Sequence, residues 1–166
     1  MLDSYERRIL VLLQEDASLS TAAIAEKVGL SQSPCWRRID RLEREGFIKR
    51  RVALVDRRKV GLNAHVFVQV KLNAHGRAHL DEFTEAIRAI PEVLECYVLM
   101  GPVDFLIRVV APDVEAYERL FFNQLSQLPG VQEVNSTVAL SEIKATTALP
   151  IGESDHGSGR GRKERD

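Results

Sequence analysis

The chain has 166 residues, is 45% hydrophobic and 28% charged, and carries a net charge of -1, proportions that suit one or two packed domains and exclude a disordered polymer. No apolar run approaches the roughly 20 residues needed to span a bilayer, and MLDSYERR lacks the basic-then-apolar order of a secretion signal, so a cytoplasmic protein is expected, with Cys35 and Cys96 as buried thiols and no zinc or disulfide framework. The near-neutral total hides a division: residues 1–60 hold 13 Lys and Arg against 9 Asp and Glu, whereas residues 61–150 hold 6 against 11, so the first part attracts polyanions and the second repels them.

Asp3 to Glu6 has the spacing of a capping box, and Tyr5, Ile9, Leu12 and Leu13 follow at helical spacing, which predicts a first helix to about Glu15. Ser20 can cap a second helix, with Leu19 stapled to Ile24, and Ile24, Ala25 and Val28 on one face. Gly29 suits the left-handed end of that helix. A third helix then starts with Ser31 at its N-cap and Pro34 in its first turn. Cys35, Ile39 and Leu42 form its apolar stripe, while Ser33, Arg37, Arg41 and Arg44 lie opposite.

Two short helices joined by a glycine turn, the second rich in arginine, have the form of a helix-turn-helix. Its arginines suit a solvated face too, since Asp40, Glu43 and Glu45 lie at pairing distances in sequence. Their position behind the polar turn Ser31, Gln32, Ser33 favours DNA, because a recognition helix presents its first turns to base edges. Arg37 and Arg41 can read guanine or hold phosphate, and Arg44 is placed to meet the backbone. Trp36 falls at the boundary of the two faces and is expected to be a partly buried wedge, not a base-stacking residue.

After Gly46, FIKRRVALV predicts a short strand, with Lys49, Arg50 and Arg51 flanking DNA phosphates, and a linker over 56–63. AHVFVQVKL then alternates as a strand with Val66, Val68 and Val70 on one face and Phe67 on the other. A helix over 77–90 carries Leu80, Phe83, Ile87 and Ile90 as its buried stripe; strands over 93–100 and 105–110 flank Gly101 and Pro102; a helix over 117–128 bears Leu120, Phe121 and Leu125; a last strand covers 131–140.

Ile90-Pro91-Glu92-Val93 and Leu128-Pro129-Gly130-Val131 occupy the same register in two halves, which predicts a ferredoxin-like βαββαβ sandwich. The fold class is thus α+β. Helices cover one sheet face, and Phe67 and Tyr97 on the other call for a dimer through the sheets. The domains expected are 1–51 (DNA-binding), 52–63 (strand and linker), 64–151 (effector-binding and oligomerisation) and a disordered tail over 152–166. In that tail Arg160, Arg162, Lys163 and Arg165 suit either solubility or nonspecific DNA contact.

This order of parts resembles the Lrp/AsnC, or feast/famine, family of transcriptional regulators over roughly residues 2–151. The resemblance is carried by Leu2-Asp3, by Ser31-Gln32-Ser33-Pro34-Cys35 with Arg38 and Leu42, and by Glu45-Gly46-Phe47-Ile48. In the second domain it rests on Gly101 with Asp104-Phe105-Leu106, on Leu128-Pro129-Gly130-Val131 and on the closing 144–150 run. It implies homodimers that commonly assemble to octamers on double-stranded DNA, and an amino acid or similar small effector at subunit interfaces. Carried over, the effector residues are Met100, Gly101, Pro102, Val103 and Asp104, with Ser136 and Thr137. Pro102 and Val103 stand where the family often has an acidic or polar residue, and the loop also suits a plain tight turn with a strand-capping Asp104.

An enzyme on this architecture, a sirohaem decarboxylase, is the alternative; His65, His75 and His79 are its candidate groups, but an arginine face has no purpose there. No nucleophile-and-base grouping, phosphate-binding glycine loop or metal-ligand spacing points to catalysis, and no cofactor is expected. An RNA-binding sheet is disfavoured because the central strands read CYVLM and FLIRV in an acidic domain.

Overall fold

The computed structural model describes residues 1–73 and 80–151, which fall into two compact units. Of the described residues, the first comprises 1–53 together with 144–151, and the second lies within 54–143. His75, His79, the expected helix start at Arg77 and the tail over 152–166 lie outside the described residues.

In the first unit, α1 (Ser4–Glu15) starts with the expected capping box: Glu6 N donates to Asp3 Oδ1 at 2.8 Å and Asp3 N to Glu6 Oε2 at 3.0 Å. α2 (Thr21–Val28) is capped by Ser20, whose hydroxyl accepts from Ala23 N, and ends at Gly29 with φ +76°, a conformation costly to any side chain with a Cβ. α3 (Gln32–Arg44) follows Ser31, which has the extended N-cap backbone but no side-chain cap bond. Ile9, Leu10, Ile24, Ala25, Val28, Cys35, Ile39 and Leu42 form the core of the three helices. Arg8 closes α2 from outside it, donating to the carbonyls of Lys27 and Val28 at 2.9 and 3.2 Å, a favourable place for a cation.

Two expectations about this half change. No strand forms over 45–63, because a strand needs a neighbour for its backbone groups and the protomer offers none there. Val52, Leu54 and Val55 are consequently exposed. Lys144–Ile151, expected with the second domain, belongs to the helical unit. Leu149 exchanges two hydrogen bonds with the Gln14 amide, at 2.6 and 3.2 Å, and Ile151 packs on the helical core.

The second unit is a four-stranded antiparallel sheet in the order β2-β3-β1-β4, built from β1 (Ala64–Leu72), β2 (Val93–Val98), β3 (Phe105–Ala111) and β4 (Val131–Val138). With α4 (Leu80–Arg88) and α5 (Val114–Asn123) this is the ferredoxin-like arrangement. Val66, Val68 and Val70 pair in register with Val109, Ile107 and Phe105, and all six are buried with Phe83, Ile87, Leu120 and Leu125. Phe83 stacks on Phe105 with ring centroids 4.3 Å apart.

Leu80 is exposed, not part of the buried stripe. The second helix begins earlier than expected because Asp113 caps it, accepting from Ala116 N at 2.7 Å, and it breaks at Gln124 into a short 3-10 turn over 125–127. Cys35 is buried as expected, but Cys96 is exposed, since β2 is an edge strand. His65 is buried beside Phe67, its Nε2 without a hydrogen-bond partner among the described residues.

Two stability predictions follow from these cores. Phe83→Ala is expected to cost about 3–5 kcal/mol in denaturant unfolding, the range for a large aromatic removed from a packed interior. Burial, helped by Arg57 and Arg108, holds the His65 imidazole below its ordinary 6.5 against the opposing pull of Glu142 and Glu95. The folded chain therefore binds fewer protons than the unfolded chain, and this contribution is full above about pH 6.5 and lost as pH falls. Thermal midpoints measured from pH 7.5 to 5 are expected to fall more steeply in the native chain than in His65→Gln.

Candidate DNA-reading face and effector loop

Successive residues of α3 turn by about 100°. With Cys35, Ile39 and Leu42 seated in the core, the outward surface carries Ser33, Trp36, Arg37, Asp40 and Arg44. Ser31, Gln32 and Ser33 are exposed at its N-terminal end, where the helix dipole favours negative charge.

The arginines of this helix divide by their partners. Arg37 is exposed and has no ion pair among the described residues. Arg44 pairs with Asp40 at 3.1 Å and Arg51 with Glu43 at 2.8 Å, both in the open. Lys49 and Arg50 are exposed without an ion pair among the described residues. Arg38 bridges to Asp3 at 3.1 Å and lies over the Tyr5 ring.

Arg41 differs from the free reading residue that its place in the sequence suggested. Its Nη1 donates to Glu6 Oε1 at 2.5 Å and its Nε to Glu45 Oε1 at 2.9 Å, and Glu6 is fully buried. The Glu45 bond, with both carboxylates adding to it, raises the guanidinium's already high pKa. Arg41 thereby ties α3 to α1. The signal for Glu6 was present in the sequence: it lies three residues before Ile9, on the buried side of α1. Trp36, expected as a partly buried wedge, is 57% exposed, because the stripe beside it already fills the core.

The second candidate site is the loop between β2 and β3. Met100, Gly101 and Pro102 are exposed at its tip, with Val103 half-buried. Asp104 anchors its end: Leu72 N donates to Asp104 Oδ2 at 2.7 Å, Asp104 N to Val70 O at 2.9 Å, and Leu99 N to Asp104 O at 2.9 Å. The aspartate thus caps the end of β1 and fixes the loop. Ser136 and Thr137 are adjacent on β4, so the sheet alternation sends them to opposite faces. The Ser136 hydroxyl bonds to the Tyr117 hydroxyl beneath α5, while Thr137 stands opposite Phe67 on the uncovered face. β3 and β4 flank β1 on opposite sides, about 10 Å apart, so loop and hydroxyls do not converge on one point within a protomer.

The Lrp/AsnC ligand binding domain matches residues 65–149, and a winged helix-turn-helix DNA-binding family matches residues 2–49. The chain belongs to the Lrp/AsnC family. It is a transcriptional regulator with a DNA-binding helix-turn-helix and an effector-binding domain. The DNA-binding transcriptional activator DecR of Escherichia coli is 39% identical over 151 residues, 91% of this chain and 99% of that one. The glutamate uptake regulatory protein of Zymomonas mobilis is 39% identical over 152 residues, 92% of each chain. Among solved structures, a Neisseria meningitidis transcriptional regulator in complex with L-Met superposes with a TM-score of 0.87 at 35% identity, covering 91% of this chain and 97% of that one. An AsnC family regulator from Agrobacterium tumefaciens gives 0.86 at 43% identity, covering 90% and 97%.

Within this Lrp/AsnC chain the two arginines predict different phenotypes. Arg37→Ala is expected to weaken DNA binding by about 5- to 100-fold at an unchanged thermal midpoint. Arg41→Ala is expected to lower the midpoint as well, because it leaves the buried Glu6 carboxylate without its cation. Paired affinity and melting measurements at matched salt check both.

Proposed function

We propose that this regulator reads pseudo-palindromic DNA as a homodimer, assembling further to an octamer, and that an amino acid or similar small molecule bound in its second domain alters that reading. The observation that carries the DNA half is the outward face of α3. Its exposed polar turn and Arg37, which has no ion pair among the described residues, together with exposed Lys49 and Arg50 after the helix, present donors without rearrangement. Two such helices related by a two-fold axis enter successive major grooves about 34 Å apart. Ser31, Gln32, Ser33 and Arg37 are assigned to bases or phosphate, and Arg44, Lys49, Arg50 and Arg51 to the backbone. Arg41 acts through the orientation it gives α3. A regulator acting in this way works on the nucleoid, in the cytoplasm.

The dimer is supported by the uncovered sheet face, where Phe67 and Tyr97 are 37% and 52% exposed. A second copy laid there buries both. It also resolves the separation of loop and hydroxyls, because a site between subunits can draw the Met100–Asp104 loop and Thr137 from different copies. In that site the exposed loop backbone and the Thr137 hydroxyl meet the effector, and Asp104 holds the loop. Ser136, engaged by Tyr117, supports β4 from behind. The regulator solved with L-Met favours an amino acid as effector.

The relatives named above are regulators, which weighs against the decarboxylase reading. A Soret shift on adding a tetrapyrrole would reinstate it. A thermal-shift panel of the common amino acids tests the effector: one present at about 100 times its dissociation constant stabilises by roughly 2.7 kcal/mol if it binds only the folded chain. Thr137→Ala is expected to reduce that shift without moving the ligand-free midpoint. No shift with any amino acid would remove the effector assignment and leave the DNA assignment standing.

A further inference from the structure

We propose that Trp36 is a base-reading residue whose indole makes the apolar contact with thymine methyl groups in the major groove; this rests on the DNA reading of α3. The chain has one tryptophan, and it is 57% exposed on a helix whose packed side is completed by Cys35, Ile39 and Leu42. Trp36 sits three residues after Ser33 and four before Asp40, which places it on the same outward surface as both. Arg37, exposed and without an ion pair among the described residues, is its chain neighbour.

Farther along α3, the arginines are held by carboxylates. Arg44 is paired with Asp40, and Arg41 with Glu6 and Glu45. The N-terminal half of the face therefore offers a flat apolar plate, bordered by the polar first turn and by the exposed Arg37 guanidinium. The N-terminal half of a recognition helix lies deepest in the groove. There the thymine C5-methyl is the apolar feature of the base edges, and the remaining marks are hydrogen-bond donors and acceptors. A large apolar ring at that depth discriminates by methyl contact, and its Nε1-H can donate to an adjacent base acceptor. The basic balance of residues 1–60 favours a polyanion over a second protein as the occupant.

The test starts from a duplex selected by the full chain from a random-sequence pool. Titrating it is expected to change the fluorescence of the single tryptophan. Replacing thymines by deoxyuridine, one at a time, removes only the methyl group; native affinity is expected to fall about four-fold at one or two positions, the value of one buried methyl. Trp36→Ala is expected to bind the thymine duplex at least about tenfold more weakly. It should be indifferent to deoxyuridine at those positions, and it should keep the native dependence on salt, unlike a lost phosphate contact.

Native affinity in Trp36→Ala, an unchanged deoxyuridine profile or a shallower salt slope would overturn the assignment. So would a change in the variant's mass by sedimentation, which would make Trp36 a contact between copies. If the pool yields no preferred duplex, the sequence-specific DNA reading falls together with this inference.

Discussion

A fully buried carboxylate on α1 holds the recognition helix in place. Glu6 receives Asp3 N on one oxygen and the Arg41 guanidinium on the other, so the group that starts the first helix also positions the third. A buried charge is tolerated only when paired and hydrogen-bonded, and here both conditions are met by residues 3 and 41, far apart in the chain. Arg38, bonded to Asp3 and lying over Tyr5, repeats the connection one turn earlier on α3. The apolar stripe decides that α3 packs; the ion pair narrows the rotation at which it does so. Arginines that look like DNA ligands in sequence are therefore of two kinds, one turned outward and one holding the frame.

The second unit is governed by the alternation of its strands. Valines at 66, 68 and 70 face the helices, which leaves Phe67 and Gln69 on the uncovered side. On β4 the same rule separates Ser136 from Thr137. A helix-covered face and an uncovered face are thus built into one sheet, and the uncovered one carries the features that a second subunit would complete. From β4 the chain runs on to the 144–151 segment, where Leu149 pairs with Gln14 and Ile151 joins the helical core. The strand assigned to the effector is in this way covalently continuous with a segment bound to the DNA-binding unit.

Features that depend on near neighbours were legible in the sequence. The Asp3 capping box, the Ser20 cap, the left-handed Gly29 and the valine alternation of β1 are set within a few residues by hydrogen-bond geometry and by the helical and strand periods. The repeated proline turns after residues 90 and 128 likewise gave the βαββαβ order. Where the reading departed from the structure, a partner distant in sequence intervened. Leu80 and Cys96 have apolar surroundings in the chain but lie at edges of the fold, and the stretch after Gly46 has strand-forming residues but no strand beside it.

By itself, then, the sequence determined the family, the α+β architecture, the two caps and the position of the recognition helix, because periodicity and capping act locally. Only the tertiary structure decided which arginines of α3 are ion-paired to carboxylates, that Trp36 faces outward, and that the last described residues return to α1. Each of these depends on what packs against a side chain from another element, and burial and charge pairing across such distances leave no mark in local spacing.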